Sequence, residues 1–232
     1  MEPPVTIGVL CYGNHECLAE RVLTSIHRNT RRQDFRLRLG LNAVGPTTRA
    51  LIRRLLPKFD VDLLVRSKVN LYKEPMLRRL LHERPIRTEW FIWFDDDSFI
   101  FREDWLQMLQ CESALNPQID MWGKKCFVRC GEKHREFVRA AKWSRGLELD
   151  EDDRPNRWRI SFALGGFWAI RTRWLYLLDW PDPRLIQYGA DYMLGEALRQ
   201  NGARIGNAFS GVAIDQAQRR IPSETPRCEV LH

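Results

Sequence analysis

The sequence predicts an α/β protein in which helices flank a largely parallel, doubly wound sheet. From residue 5 to residue 94, short β-rich runs alternate with segments whose apolar residues recur at helical spacing. Such alternation implies right-handed crossovers between parallel strands. A chain of 232 residues with 44% hydrophobic content is long enough for a substantial core. No repeat or low-complexity linker divides it, so we predict a single domain.

Four strands are predicted in the first half of the chain, each separated from the next by a helix. The strands cover residues 5–10, 37–44, 61–65 and 90–94, and the helices cover residues 17–30, 47–56 and 75–81. Gly45-Pro46 closes the second strand, and Thr47 or Thr48 is expected to cap the helix after it.

The second half is less regular in its pattern. Helices are predicted over residues 104–115, 132–144, 171–178 and 190–200, and extended segments over residues 119–128, 159–170, 204–209 and 212–214. Residues 147–157 are acidic, contain proline and are poor in apolar residues, so we expect a loop there.

Three consecutive aspartates, Asp95 to Asp97, directly follow the apolar run 90–94. An apolar strand cannot hold three adjacent carboxylates in its interior, so they are expected at its carboxyl end, where open α/β sheets bind ligands. Clustered like charges repel one another unless a cation neutralises them, and carboxylate oxygens suit a hard divalent metal. The alternative is a solvated acidic loop. The apolar segment 98–101 on the far side favours the metal site.

Charge and composition limit the classes of binding partner and the cellular location that we expect for this chain. The net charge is +7, which favours polyanions such as nucleic acid, nucleotide phosphates or anionic lipid, although many arginines lie at spacings typical of solvated helix faces. No apolar run approaches the ~18 residues of a membrane span. The first residues lack the pattern of a secretory signal, so we expect a cytoplasmic protein with reduced cysteines. Cys126, Cys130 and His134 resemble half a zinc site, but no second pair lies nearby.

Three landmarks follow one another in a recognisable order. They are the aspartate triplet after an apolar strand, Gly-Gly-Phe-Trp at 165–168, and Gly-Ala-Asp at 189–191 before a helix. The ordered set resembles the GT-A glycosyltransferases, which have a single Rossmann-like domain, and the triplet is most similar to the DDD of fringe-type and family 2 members. The resemblance spans residues 5–220. It implies a nucleotide-sugar-binding half at 1–100, an acceptor and catalytic half at 101–220, and a tail at 221–232.

The resemblance further implies metal-dependent sugar transfer from a UDP-sugar, with Mn²⁺ or Mg²⁺ stabilising the departing diphosphate. Asp97 would ligate the metal, with Asp95 beside it, while Asp95 or Asp96 would contact the ribose or a metal-bound water. Asp215 ends a short apolar segment and is a candidate for a further ligand. The alternative for Asp215 is a loop residue that caps the following turn. The histidine ligand of many family members has no clear counterpart here.

Donor contacts are expected beyond the ends of the first three strands. Tyr12 is placed to border the nucleotide base, or else is a tyrosine at the edge of the core. Asn42 follows the second strand and Arg66 the third. Lys73 lies just beyond and is expected to contact a phosphate.

The resemblance also implies roles for residues in the second half. Gly166 and Trp168 belong to the glycine-rich, acceptor-side strand, where Trp168 would form an apolar platform for a sugar. Arg219 could close over the pyrophosphate, or belong to an ordinary solvated pair. Asp191 is the candidate general base for the acceptor hydroxyl, which would make the reaction inverting. The alternative is that Asp191 only caps its helix.

Two acceptor classes remain open at this point. The basic charge and the absence of membrane helices favour DNA that carries 5-hydroxymethylcytosine, as in bacteriophage enzymes. A base flipped from the duplex would meet exposed tryptophans (Trp143, Trp158 and Trp168) and the basic segment 132–144. The alternative is a bacterial transferase acting on a surface glycan, a lipid carrier or a protein. Nucleotidyl transfer on the same scaffold is disfavoured, because Gly8 and Gly13 do not make a glycine-rich phosphate loop.

Overall fold

The computed structural model of the protein describes residues 4–207 and 211–215. In chain order the strands are β1 (Val5–Tyr12), β2 (Phe35–Asn42), β3 (Val61–Ser67), β4 (Trp90–Asp95), β5 (Ser98–Ile100), β6 (Met121–Cys130), β7 (Asp150–Glu151), β8 (Trp158–Arg171), β9 (Ile205–Asn207) and β10 (Val212–Ile214). The helices are α1 (Glu16–Asn29), α2 (Pro46–Leu55), α3 (Lys73–His82), α4 (Trp105–Leu115), α5 (Glu132–Arg139), α6 (Thr172–Leu177) and α7 (Ala190–Gln200).

Within the described residues the main sheet has eight strands. Its order is β3-β2-β1-β4-β8-β6-β9, and β7 pairs with β8. β1 is parallel to both β2 and β4, β2 is parallel to β3, and β8 runs antiparallel to β4 and β6. β5 and β10 form a separate antiparallel pair. The predicted class, an α/β domain with a mostly parallel sheet flanked by helices, is confirmed.

Each face of the main sheet carries its own apolar core. Along β4, Phe91 and Trp93 belong to one core and Ile92 and Phe94 to the other, because successive side chains of a strand point to opposite faces. α3, α6 and α7 cover the first face, while α1, α2 and α4 cover the second. Each of these buried side chains contributes about 1.5–3 kcal/mol. Packing on both sides makes the carboxyl end of β4 a fixed point for the residues that follow.

A buried arginine connects β2 to the helix that begins at the candidate site. Arg38 is fully buried, and its guanidinium donates to the carbonyls of Leu80, Arg84 and Pro85 at 2.7–2.9 Å and to Asp62 at 2.7 Å. These carbonyls lie at and beyond the last turn of α3, where backbone acceptors have no partner within the helix. Arg38 therefore fixes the position of α3 against the sheet.

Several element boundaries differ from the predictions. α2 begins at Pro46 with Gly45 as its N-cap, because the fixed φ of proline suits the first helical position, so the predicted threonine cap is wrong. α5 ends at Arg139 rather than at residue 144. The predicted loop 147–157 contains the short strand β7, which pairs with Trp158 and Arg159 of β8. None of the helices in the described part of the chain has the length and apolarity that a membrane crossing requires.

Candidate active site at the carboxyl edge of the sheet

The carboxyl ends of the parallel strands bring the predicted donor-side residues to one edge. Tyr12 and Asn42 are paired at the ends of β1 and β2, and Asn42 is in register with Ser67 at the end of β3. Asp95 ends β4, one strand further along, and is in register with Leu10 of β1. The topology alone therefore explains why these residues meet.

Asn42 organises the loop between β3 and α3. Its side-chain amide donates to Asn70 Oδ1 at 2.8 Å, and its oxygen accepts from the backbone N–H of Leu71 at 2.9 Å. Asn70 in turn donates to the Tyr12 hydroxyl at 3.4 Å. Because Asn42 is buried and both ends of its amide are engaged, the structure corrects the predicted donor contact to a loop-shaping role.

The same loop ends in a strained residue immediately before Lys73. Tyr72 has φ 65° and ψ 177°, a region that residues with a side chain rarely adopt and that costs about 1–3 kcal/mol. The backbone N–H of Tyr72 donates to Asn70 Oδ1, and that of Lys73 donates to Gln187 Oε1. Hydrogen bonds at Tyr72 and at the next residue thus stabilise the strained conformation, and the chain enters α3 directly after it.

Lys73 lies at the centre of the site, between two carboxylates. Its ammonium donates to Asp95 Oδ2 at 3.0 Å and to the carbonyl of Gly165 at 3.2 Å, and it lies 3.8 Å from Asp191 Oδ1. Burial lowers the pKa of Lys73, but attraction by Asp191, Asp95 and Glu74 outweighs it, so the pKa is raised and the amine stays charged. The charge of Lys73 is paired with these carboxylates, and its predicted contact with a phosphate stays a prediction.

A third acidic residue lies under this cluster. Glu74 is 1% exposed, and within the described residues neither of its carboxylate oxygens has a hydrogen-bond partner. Burial raises the pKa of Glu74 to about 8; Lys73 opposes this rise, while the Asp191 and Asp95 charges add to it. Three acidic groups therefore share one cation, which makes Lys73 the electrostatic centre of the site.

Asp191 projects from the first turn of α7 over the backbone of β8. Gly189, with φ 87°, is the N-cap of α7, so the alternative that Asp191 serves as the N-cap is wrong. The side chain of Asp191 is 35% exposed, which leaves it accessible to a substrate. A Cβ atom on Gly165 would lie 2.0 Å from Asp191 Oδ2, so the carboxylate occupies space that only a glycine leaves open.

This contact gives a prediction at Gly165. In the Gly165→Ala variant the new methyl group displaces the Asp191 carboxylate by rotation of a flexible side chain, so we expect turnover to fall about 10- to 100-fold. The Tm of thermal unfolding should fall by only a few degrees, since a change of about 1 kcal/mol in the free energy of unfolding moves Tm by roughly 2–4 °C in a chain of this size. Steady-state kinetics checks the expected fall in turnover, and a melting curve on the same preparation checks the expected shift of Tm. Turnover equal to that of the wild type would contradict the assigned position of Asp191.

The aspartate triplet divides between two environments. Asp95 is bound by Lys73 and also accepts from Trp93 Nε1 at 2.9 Å. Both of its oxygens carry contacts, and its predicted part in metal binding stays a prediction. Asp96 is 5% exposed and lies with Asp97 in the turn between β4 and β5, so little of Asp96 is left to contact a ribose. Asp97 is half-buried at the edge of this turn.

Asp215 lies beside Asp97, as the metal hypothesis requires. The backbone N–H of Asp215 donates to the carbonyl of Asp97 at 3.0 Å, as an extension of the β5–β10 pairing. The Asp215 carboxylate accepts from Arg21 Nη1 of α1 at 2.6 Å. The two segments are thus adjacent, and the role of Asp215 as a metal ligand stays a prediction.

Asp97 and Asp215 fit a hard divalent cation that arrives with a phosphate ligand. Within residues 4–207 and 211–215, no group of three or more His, Cys, Asp or Glu side chains is arranged to hold a metal ion by itself. Mg²⁺-type sites commonly use one or two carboxylates and complete the shell with substrate phosphates and water. Two half-buried aspartates joined by a backbone hydrogen bond supply the carboxylates of that pattern.

Trp168 is a core residue, and the predicted sugar platform is wrong. Its side chain is 2% exposed and stacks on Trp93, with ring centroids 6.1 Å apart and an interplanar angle of 21°. Trp93 holds Asp95 through its indole N–H, so Trp168 supports the site from behind. Gly166 is also corrected from a donor contact: its carbonyl accepts from Ser98 Oγ at 2.6 Å, and a Cβ there would lie 2.8 Å from Ile214.

The other tryptophans predicted to be exposed are buried as well. Trp143 and Trp158 are 4% and 5% exposed, because both pack in the core beneath α5. The basic face of this segment is also partly neutralised: Arg135 pairs with Glu148, and Arg139 pairs with Glu132.

Arg66, one of the predicted donor residues, lies outside this cluster. Arg66, at the end of β3, is exposed, and its carbonyl accepts from Arg79 Nη1 at 3.1 Å. Arg219 lies outside the described residues. Sequence reasoning missed Arg21, Glu74 and Gln187, because each lies in a helix or loop with no motif around it.

Comparison with known proteins bears on the fold. No protein-family profile and no curated protein matches this chain. Among solved structures, the mannosyltransferase PcManGT from Pyrobaculum calidifontis, in complex with GDP-Man and Mn²⁺, aligns with a TM-score of 0.63 and 19% identity. S. aureus TarS aligns with a TM-score of 0.59 and 13% identity. TarS 1–349 in complex with UDP-GlcNAc aligns with a TM-score of 0.56 and 14% identity.

These matches cover 90%, 88% and 88% of this chain, but only 55%, 35% and 55% of the three proteins. The chain thus corresponds to about half or less of each neighbour. At these identities the likeness establishes the fold, which is that of GT-A-type glycosyltransferases.

Proposed function

We propose that the protein transfers a sugar from a nucleotide-diphosphate donor to an acceptor hydroxyl with the help of a divalent metal. Two observations carry the proposal on a GT-A-type fold: Asp215 is hydrogen-bonded to Asp97 just after β4, and Lys73 links Asp95 at the end of β4 to Asp191. The neighbours were solved with GDP-Man and Mn²⁺ or with UDP-GlcNAc, which supports a nucleotide sugar as the donor class. We propose UDP as the nucleotide.

Asp97 and Asp215 would hold the metal, which when bound supplies positive charge for the departing diphosphate. Asp191 accepts the proton of the acceptor hydroxyl as the oxygen attacks the anomeric carbon, which inverts the configuration of the sugar. Lys73 holds Asp191 and Asp95 in place, since its ammonium lies 3.8 Å from Asp191 Oδ1 and 3.0 Å from Asp95 Oδ2. Asp95 anchors Lys73 from the opposite side.

The metal assignment predicts the behaviour of an Asp97→Asn variant. We expect Mn²⁺-dependent turnover of a UDP-sugar to fall about 100-fold, because a neutral amide is a weaker ligand and offsets less charge. Asp104→Asn, which changes an exposed aspartate nearby, serves as the control. Turnover measured against Mn²⁺ concentration checks the effect. Turnover that is indifferent to both chelation and Asp97→Asn would overturn the metal assignment.

For the acceptor we propose a 5-hydroxymethylated pyrimidine in DNA. The observation in favour is the net charge of +7, which suits a polyanion. Burial of Trp143, Trp158 and Trp168 removes them as stacking partners for a flipped base, so the proposal now depends on charge and on the accessible Asp191. A surface glycan, a lipid carrier or a protein is the alternative acceptor.

Mass spectrometry distinguishes these acceptors. Hydroxymethylcytosine-containing DNA is incubated with the protein, Mn²⁺ and a panel of nucleotide sugars, then digested to nucleosides. A hexose added to the modified nucleoside supports the DNA acceptor. Sugar incorporation only into glycan, lipid or protein fractions assayed in parallel would replace it with the alternative while leaving the transferase proposal intact.

A further inference from the structure

Arg21 of α1 occupies a position between the two proposed metal ligands. Its Nη1 donates to Asp215 Oδ2 at 2.6 Å, and its Nη2 donates to the carbonyl of Asp97 at 3.3 Å. Its guanidinium carbon lies 4.8 Å from the centroid of the Phe99 ring. The side chains of Arg21 and Asp215 are each 24% exposed, so the pair is largely shielded from solvent.

We propose that Arg21 is a positioning residue that acts as an internal counter-cation: it holds Asp215 beside Asp97 before the metal binds, and it competes with the metal for the Asp215 carboxylate. This inference rests on the metal site of the proposed function. It goes further, because it assigns the control of metal affinity to a helix that contains none of the proposed ligands.

Competition follows from the geometry of the contacts. Asp215 Oδ2 lies 2.6 Å from a guanidinium nitrogen, and a divalent cation binds carboxylate oxygens at about 2.0–2.6 Å, so a metal on this carboxylate would lie close to the Arg21 charge. Like charges in a partly shielded site also repel each other. A metal that enters therefore has to displace or weaken the Arg21–Asp215 contact, and this reduces its apparent affinity.

The same contact has a second consequence for the chain before the metal binds. Asp215 directly follows β10, a three-residue strand whose partner in the described residues is the short strand β5. Arg21 adds a charge-assisted hydrogen bond that joins α1 to this pair, and such bonds are among the strongest that side chains make. The ion pair thus keeps the two aspartates adjacent while no divalent cation offsets their charge.

Calorimetric titration with Mn²⁺ alone tests the proposal. In Arg21→Gln we expect the Kd for Mn²⁺ to fall about tenfold, the factor that corresponds to 1.4 kcal/mol. Arg21→Lys keeps the positive charge and should remain within about threefold of the wild type. Arg31→Gln removes an equally charged, exposed side chain from the loop after α1 and should leave the Kd unchanged. A purely structural role for Arg21 predicts weaker binding of Mn²⁺, not tighter.

Separate outcomes identify which proposal fails. If Asp97→Asn and Asp215→Asn abolish Mn²⁺ binding but Arg21→Gln leaves it unchanged or weakens it, the counter-cation role is overturned and the metal site stands. If the wild type binds no Mn²⁺, or binds it equally well without the two aspartates, both the metal site and the role of Arg21 are overturned. Melting curves add an independent readout: Arg21→Gln should lose stability without Mn²⁺ and regain it at saturating Mn²⁺.

Discussion

Replacement of Asp191 by asparagine is expected to lower kcat about 100- to 10,000-fold, the range that a general base contributes. The amide has nearly the shape of the carboxylate but cannot take up the proton of the acceptor hydroxyl. The asparagine side chain still fits above Gly165, and Lys73 keeps its contact with Asp95, so the site retains its geometry. We therefore expect donor affinity to stay within about threefold of the wild type.

Single-turnover kinetics with saturating donor measures this effect. Asp153→Asn, a change to an exposed aspartate in the loop before β8, is the matched control and should leave kcat unaltered. The anomeric configuration of the product, read by NMR, is a second test, because a base at Asp191 accompanies inversion. An asparagine variant with nearly wild-type kcat would remove Asp191 from the chemistry.

The position of the site was predictable from the sequence because it follows from topology. Parallel strands place their carboxyl ends at one edge of the sheet, so Tyr12, Asn42 and Asp95 had to meet once the strands were recognised. The apolar pattern of residues 90–94 located the aspartates at a strand end without knowledge of any contact. Asp191 was found through the order of motifs, because the glycine-rich strand and the helix after it follow the aspartate triplet along the chain.

The contacts within the site were not predictable, because they depend on which face a side chain occupies. The flat indole ring of Trp168 suits a sugar platform, yet the period-2 alternation of β8 directs this side chain into the core against Trp93. Lys73 was expected from its chemistry to contact a phosphate, and no sequence pattern indicated that it would also pair with Asp95 and Asp191. Arg21 lies in α1, far along the chain from Asp215, and no local pattern joins them.

Two of these corrections change the functional hypothesis. The tryptophans expected to receive a flipped base are part of the core, so the proposed DNA acceptor would have to be recognised through charge and backbone contacts. The contacts that hold the site together are also better defined, since Lys73 connects the end of β4, the backbone of β8 and the first turn of α7.

That central role makes Lys73→Met the most damaging change expected for stability. Removal of one partner from a buried ion pair costs about 3–5 kcal/mol, and partial exposure of Asp95 and Asp191 reduces the cost here to about 2–4 kcal/mol. For a chain of this length, Tm should fall by roughly 5–15 °C. Glu74 adds to the loss at high pH, because its buried carboxyl would have no cation beside it when it ionises.

The pH dependence of this loss identifies its cause. Without Lys73 the pKa of the buried Glu74 carboxyl loses the attraction that lowers it and rises further, so this group stabilises the folded protein while protonated at low pH, and that stability is lost as pH rises through its folded pKa. The Tm deficit of Lys73→Met should therefore be smaller at about pH 5 than at about pH 8. Lys68→Met, at an exposed position in the loop before α3, should show neither deficit nor pH dependence. A deficit that is the same at both pH values would instead point to lost packing of the lysine side chain, and Lys73 would no longer be the electrostatic centre of the site.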